Sequence, residues 1–248
     1  MYINEYGDKG APVVILLAPM MVSGSDLYEL MEPYFKGTYH FISPDLGGHG
    51  KAGKFISADE EYKVLKSFLH DREIKEIALV YAASLGVTVG YRLFTDPEFN
   101  VNKAWFDGVA LSENAGFAEW FMKKLFRSRK KKMKKTHVEA SKNLVKMYGY
   151  DFAKMMTANF ERITDDDIDA ICYACCHYKL RKFSEEEQKK LHLDFGEKDF
   201  DLKYSRKTIP VYMPDVELTI RKGYAHCGYM ASETEEYVRQ VEKHLTGN

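Results

Sequence analysis

Ile77-Ala78-Leu79-Val80-Tyr81-Ala82-Ala83-Ser84-Leu85-Gly86-Val87-Thr88-Val89-Gly90 is the stretch from which the fold of this 248-residue chain can be read. It opens as a short apolar run of the kind that forms a strand buried on both faces. The chain then turns at small residues and continues as a helix through Tyr91, Arg92 and Leu93. Ser84 stands at the turn, with Ala82 two residues before it and Gly86 two after. That is small-x-Ser-x-Gly, the layout of a nucleophile elbow. A serine projecting from so tight a turn needs small neighbours, so that strand and helix can pass closely. Its hydroxyl then sits at a helix N-terminus, where free N–H groups and the macrodipole favour negative charge. Ala82 occupies the position where glycine is more familiar. The same residues also suit a helix N-cap serine after a buried strand, and the rest of the chain decides between the two.

Upstream, Met1 to Tyr6 alternates weakly, as an edge strand would, and Gly7-Asp8-Lys9-Gly10 is a turn. Pro12 to Ala18 reads as a second fully buried strand, ending in the loop Pro19-Met20-Met21-Val22-Ser23-Gly24. Ser25 or Asp26 can cap a helix running to about Phe35. His40-Phe41-Ile42-Ser43 is the next strand, followed by the glycine-rich loop Pro44-Asp45-Leu46-Gly47-Gly48-His49-Gly50. Asp59 to about His70 carries Tyr62, Leu65, Phe68 and Leu69 at helical spacing. Downstream of the Ser84 unit, Ala104 to Leu111 is another strand. Apolar strands alternating with helices imply an α/β fold with a mainly parallel sheet covered on both faces. Active-site residues then belong at the C-terminal ends of the strands. Ser84 and the loop beginning at Pro19 are both placed there.

From about Asn114 to Phe183 the strands stop. Thr164-Asp165-Asp166-Asp167 is a strong helix start, a capping threonine followed by carboxylates over the dipole. The segment reads as a helical insertion, residues 114–183, that could cover a site on a core made of residues 1–113 and 184–248. Leu191 to Phe195 then alternates as a strand and leads into Gly196-Glu197-Lys198-Asp199. Val216 to Ile220 is the last strand and runs into Gly223-Tyr224-Ala225-His226-Cys227-Gly228. A helix from about Ser232 to Leu245 closes the chain.

The formal net charge of −1 gives no global drive toward nucleic acid or an anionic membrane. No apolar run of about 18 residues exists, so no membrane span is expected, and Met1 to Tyr6 does not read as a signal peptide. Four cysteines in a chain this long do not make a disulfide framework, and a cytoplasmic location fits.

The order Ser84, an acid after a late strand, then His226 after the last strand is that of the α/β-hydrolase triad. Over nearly its whole length the chain resembles that superfamily, in particular its serine esterases and lipases with a helical cap. The matching pieces are Ala82-Ala83-Ser84-Leu85-Gly86, Pro44 to Gly50, Phe195-Gly196-Glu197-Lys198-Asp199 and Gly223-Tyr224-Ala225-His226. The resemblance implies that Ser84 is the nucleophile, His226 the general base and acid, and Asp199 the group that orients the imidazole. Glu113 is the competing acid. Asp199 is favoured because glycine-x-x-Asp after a strand puts a carboxylate on a turn at the same edge. The family's oxyanion hole implies backbone N–H donors at Leu85 and Met20. The family usually has His-Gly-x in the first loop, where this chain has Ala18-Pro19-Met20. Met20 and Met21 suit an adaptable apolar pocket or plain packing. Phe117, Trp120 and Phe121 are candidate pocket residues from the insertion. The glycine-rich loop is structural in the family, so His49 is given no catalytic role.

The implied activity is that of a serine hydrolase, foremost a carboxylic ester hydrolase working through an acyl-enzyme, with no metal or organic cofactor. The same triad serves thioesterases and carbon–carbon bond hydrolases, and a ligand-binding protein with little turnover is the alternative of another class. The expected partner is a small-molecule ester or related acyl compound and not nucleic acid. A homodimer is compatible with the sequence. Cys172, Cys175 and Cys176 fall at helical core spacing and read as small buried thiols rather than as a zinc site. Lys123-Lys124 and the run from Arg127 to Lys135 read as a solvated face of the insertion rather than as an anion-binding patch.

Overall fold

A computed structural model of the chain describes residues 1–133 and 137–247. Seven strands form one sheet in the order β1 (Glu5–Gly7), β3 (His40–Ile42), β2 (Val13–Leu17), β4 (Glu76–Ala83), β5 (Asn100–Asp107), β6 (Leu191–Gly196) and β7 (Glu217–Arg221). Only β1 runs antiparallel, along the β3 edge, and every other neighbouring pair is parallel. Parallel strands need crossovers, and helices supply them on both faces. On one face lie α2 (Ala58–Asp71) and α3 (Leu85–Thr95); on the other lie α1 (Gly24–Met31) and α11 (Thr234–Thr246). The alternation along β4 makes the two faces explicit. Ala82 meets the α3 side at Gly90, while Tyr81 turns to α11 and packs edge-on against Tyr237. Val14, Ile15, Leu16, Leu17, Leu79 and Val80 are fully buried between the helical layers.

Between β5 and β6 the chain forms α4 (Gly116–Met133), α5 (His137–Tyr148), α6 (Tyr150–Arg162), α7 (Asp165–Cys176) and the short α8 (Glu185–Lys190). The expected start of α7 is built as a capping box, with Thr164 and Asp167 exchanging side-chain and backbone hydrogen bonds. Asp167 also accepts the Phe55 N–H at 2.8 Å, tying this helix to the loop after β3. Between β6 and β7 runs α9 (Phe200–Tyr212), and α10 (Gly228–Ser232) precedes α11. Among the described residues no helix is long and apolar enough to cross a membrane.

Several boundaries differ from the sequence reading. Helix α1 is capped by Ser23 in a capping box with Asp26, not by Ser25 or Asp26, and it stops at Met31. Pro33 lies in the 3-10 turn Glu32–Tyr34 that follows. A proline has no N–H to continue the α-helical ladder. Strand β5 ends at Asp107 because Gly108 turns away with φ +61°, so Val109 to Leu111 lie outside it. Strand β6 does not alternate but is buried at every position, its polar members included. Asp194 is held by Arg221, and His192 stacks on Trp105. Helix α9 has no counterpart in the sequence reading.

Candidate active site

The six parallel strands β3, β2, β4, β5, β6 and β7 deliver their C-terminal ends to one edge of the sheet. There β4 ends at Ala83, and Ser84 takes φ +48° before α3 begins at Leu85. Its side chain makes no capping hydrogen bond to α3, which removes the N-cap reading. Its N–H donates to the Asp107 carbonyl at 2.8 Å, which pins the elbow to β5. A Cβ on Gly86 would lie 2.2 Å from the Leu17 carbonyl oxygen, so this position admits only glycine. Alanine at position 82 is tolerated because its methyl meets Gly90, where an added Cβ would approach it to 2.8 Å. The close approach of strand and helix is thus provided by Gly90, eight residues beyond Ala82.

His226 follows β7, and Cys227 after it takes φ +51°. The His226 Nδ1 lies 2.9 Å from Asp199 Oδ2. A carboxylate only accepts, so Nδ1 carries the proton and Nε2 is left as the acceptor. Asp199 sits on the turn after β6, its N–H bonded to the Gly196 carbonyl, and its other oxygen accepts the Asp201 N–H at 2.9 Å. The Asp199 side chain is 1% exposed and that of His226 32%. Gly108 lies directly against this pair: a Cβ there would come within 2.8 Å of the His226 ring and 3.2 Å of Asp199 Oδ2. Glu113, the competing acid, is exposed and accepts from the Tyr212 hydroxyl at 2.6 Å, away from His226.

Ser84, Asp199 and His226 line one cavity of about 310 Å3, together with Met20 and Met21 from the β2 loop and helices α4 to α7. Among the described residues no hydrogen bond joins the Ser84 hydroxyl to His226. Such contacts are commonly long before substrate is bound. Leu85 opens α3, so its N–H has no intrahelical acceptor. The Met20 N–H has no hydrogen-bond partner among the described residues either. Pro19, which departs from the family pattern, lines the cavity without removing that donor.

The loop carrying Met20 is held from outside the cavity by His49. Its Nε2 lies 2.9 Å from the Met21 nitrogen, and its Nδ1 3.0 Å from the Gly47 carbonyl. The amide can only donate and the carbonyl only accept, so this imidazole is neutral with its proton on Nδ1. Burial also lowers its pKa, against its hydrogen bonds and the nearby carboxylates Asp167 and Asp45. Met21 needs the anchor, since it is held at φ +72°. Of the four non-glycine residues with positive φ among the described residues, Met21, Ser84 and Cys227 all line the cavity. Such strain persists only where surrounding structure over-determines it.

Burial would lower the His226 pKa, but the Asp199 charge and hydrogen bond, with a contribution from Cys227, outweigh it and raise it well above 6.5. Asp201 is a second acid here, its Oδ2 3.6 Å from His226 Nδ1. Burial drives its carboxyl up to about 7 despite His226, and the Asp199 charge adds to the rise. Burial pushes the Cys227 thiol up to about 12, so it remains a thiol at neutral pH.

Of the expected pocket residues, Met21 and Phe121 line the cavity. Phe117 and Trp120 do not: they are 74% and 56% exposed and pack on each other outside it. The cavity is walled from α4 by Phe121, Met122, Leu125, Phe126 and Arg129. The basic run is therefore not one solvated face. Arg129 belongs to the cavity wall, Lys130 is buried over the Phe160 ring, and Arg127 pairs with Asp169 at 2.5 Å. Lys134 and Lys135 lie outside the described residues. Cys172 and Cys176 are buried as expected, whereas Cys175 contributes to the cavity wall. The signals for Gly108, His49, Asp201 and Arg129 in this site are spatial. Asp201 lies two residues after Asp199, His49 lies in the glycine-rich loop and Arg129 in the basic run, and nothing local in these segments marks them as facing the cavity.

This architecture is shared with solved structures. The chain is similar to a bromoperoxidase from Bacillus anthracis, with TM-score 0.74 and 16% identity over 98% of this chain and 94% of the other. It is similar to a structure from a study of Nitrososphaera gargenis carboxylesterases, with TM-score 0.73 and 15% identity over 99% and 93%. It is also similar to an alpha/beta hydrolase family protein from Desulfitobacterium hafniense, with TM-score 0.71 and 16% identity over 97% and 98%. No protein-family model matches the sequence, and no curated protein matches it. The chain has the α/β-hydrolase fold. At these identities the likeness defines the fold, and the reaction has to be argued from the site.

Proposed function

We propose that the protein is a serine hydrolase, foremost a carboxylic ester hydrolase, with Ser84, His226 and Asp199 as its triad. The observation that carries this reading is that an elbow serine at φ +48° and an Asp199-bound histidine open into one cavity. Ser84 Oγ bonds to the ester carbonyl carbon as its proton passes to His226 Nε2. The carbonyl oxygen becomes an oxyanion facing the Met20 and Leu85 N–H groups. Collapse breaks the ester C–O bond, and His226 returns the proton to the departing alcohol. Water then attacks the acyl-enzyme by the same path and releases the acid. Asp199 keeps the proton on Nδ1 and stabilises the imidazolium. Residues 114–183 act as the cap over the cavity. A cavity of about 310 Å3 is at the small end of ligand sites, which run from about 300 to 1,000 Å3. Together with its mostly apolar wall it favours a compact, uncharged acyl group. A reducing, cytoplasmic setting agrees with the four unpaired cysteines.

A panel of p-nitrophenyl esters of increasing acyl length tests this reading. Turnover should be greatest for short acyl groups and absent in Ser84→Ala. Equal turnover by Ser84→Ala would refute it.

Two further outcomes follow from the site. The base works only when neutral, and the neutral fraction grows as pH rises through the His226 pKa. Since Asp199 raises that pKa above 6.5, kcat/KM should climb with pH to a midpoint above 6.5. Asp201, facing the same nitrogen, titrates with His226, so the limb belongs to the pair. Asp199→Asn should move the limb to lower pH while cutting the rate. A wild-type midpoint below 6.5 would contradict this. Second, His49→Ala strips the acceptor from the buried Met21 N–H, a loss of about 1–3 kcal/mol. The loop bearing Met20 then relaxes. One oxyanion donor is typically worth about a hundred- to a thousandfold in kcat, so a fall of about tenfold or more is expected with KM little changed. His49→Gln, which can still accept at that position, should recover part of it. Equal kcat in all three proteins would remove His49 from the account.

A further inference from the structure

The N-terminal ends of β6 and β7 carry a second cluster of chemistry-bearing residues. In the parallel registers Tyr81 pairs with Trp105, Trp105 with His192, and His192 with Glu217. These side chains therefore form one row on the face covered by α11, whose Tyr237 and His244 reach down to it. His192 lies flat on Trp105, ring centroids 3.7 Å apart and planes within 5°. The stack fixes the plane of its ring. His192 is 4% exposed, yet among the described residues neither of its ring nitrogens has a hydrogen-bond partner. A buried imidazole N–H left unpaired costs about 1–3 kcal/mol. Glu217 Oε2 lies 3.3 Å from His192 Nδ1 and 3.9 Å from His244 Nδ1. The three ligand atoms all fall within 4.8 Å of one another.

The geometry points to a binding site for a divalent transition-metal ion of the zinc class, held by His192, Glu217 and His244. Two imidazoles and a carboxylate are a donor set that suits zinc, with bonds of about 2.0–2.2 Å and room for water in the remaining position. His244 donates its other ring nitrogen, Nε2–H, to the Lys190 carbonyl at 3.2 Å, which leaves Nδ1, 3.9 Å from Glu217 Oε2, as the nitrogen with the free lone pair. Glu217 is 66% exposed on its side chain and gives an entry path from solvent. Two cations, Lys103 and Arg221, reach the histidines electrostatically. Arg221 is neutralised by Asp194 at 2.9 Å. The bound ion would join β6, the edge strand β7 and α11. Its consequence is stability of the C-terminal end of the fold, and it takes no part in ester hydrolysis.

The test uses chelator-treated full-length protein titrated with zinc chloride by calorimetry, and with cobalt chloride followed by visible absorption. Wild type should bind one equivalent of zinc, give the intense visible bands of low-coordinate cobalt, and gain about 3 °C or more in Tm at saturation. Glu217→Gln, at an exposed position, should weaken binding about tenfold or more. His244→Ala and His192→Phe should abolish it, the latter keeping the ring stack on Trp105. His226→Ala should bind as wild type, since Asp199, Asp201 and His226 form a separate cluster in the cavity. Wild-type protein that binds no zinc overturns the proposal. So does binding that survives Glu217→Gln and His244→Ala, or binding that is lost in His226→Ala.

Discussion

Replacing Ser84 by alanine is expected to lower kcat on a short-chain ester on the order of a millionfold, to the level left by binding and the oxyanion donors alone. In the proposed mechanism the substitution removes the atom that forms the acyl-enzyme. Ser84 Oγ makes no capping bond to α3, so the helix loses nothing. Alanine and serine carry the same kind of backbone penalty at φ +48°. Melting temperature should therefore stay within about 2 °C of wild type. His226→Ala should cost a similar factor, and the double variant little more than either, because in the proposed mechanism the groups act as one unit. Ester turnover in the single variants, measured beside Tm, checks both halves of this expectation.

Gly108→Ala should have the next largest effect, although Gly108 carries no chemistry. Alanine meets two penalties there. At φ +61° it costs about 1–2 kcal/mol in backbone conformation alone. Its methyl would also stand 2.8 Å from the His226 ring and 3.2 Å from Asp199 Oδ2. The backbone at this point is fixed by the Gly108 N–H bond to the Asp194 carbonyl at 2.9 Å, so the imidazole must give way. It can do so only by breaking its 2.9 Å bond to Asp199. Loss of the orienting carboxylate with the histidine in place typically costs about 10^4 in kcat, and a displaced ring should fall between about 10^2 and 10^4. The fall should appear in kcat more than in KM, since the acyl pocket is untouched. Circular dichroism should report a folded protein with Tm lowered by a few degrees. A Gly108→Ala variant with wild-type kcat would mean that His226 does not need its Asp199 bond.

What the sequence made legible follows from how local each constraint is. The elbow is a steric problem solved within a few residues, so Ala82, Ser84 and Gly86 disclose it. The alternation of buried strands and amphipathic helices disclosed the sheet. The turn Gly196 to Asp199 and the loop at His226 stand at strand ends in the order the fold requires, and they meet at 2.9 Å. Other parts depend on contacts between distant segments and leave no local mark. Gly90 compensates for Ala82 from the second turn of α3. His49 holds Met21 across 28 residues, and its glycine-rich surroundings suggested only a turn. The aromatic content of α4 was visible, but not its rotational phase or where the cavity ends. Phe121 faces the cavity, Trp120 beside it does not, and Phe117 lies one turn beyond. Arg129 was lost for the same reason within a basic run that reads as uniform. Helix α9 was missed because Pro210 near its end and its mixed composition weaken the helical signal. The His192, Glu217 and His244 cluster joins two strands and a helix, and only the register of the sheet reveals it.

The most direct measurement of the central claim is labelling with a fluorophosphonate, which reacts with an activated serine whatever the natural acyl group. Intact and peptide mass spectrometry would locate the adduct. The account predicts one adduct, on Ser84, absent in Ser84→Ala and strongly reduced in His226→Ala. Folded wild-type protein that carries no adduct at Ser84, or His226→Ala labelled as fast as wild type, would contradict it.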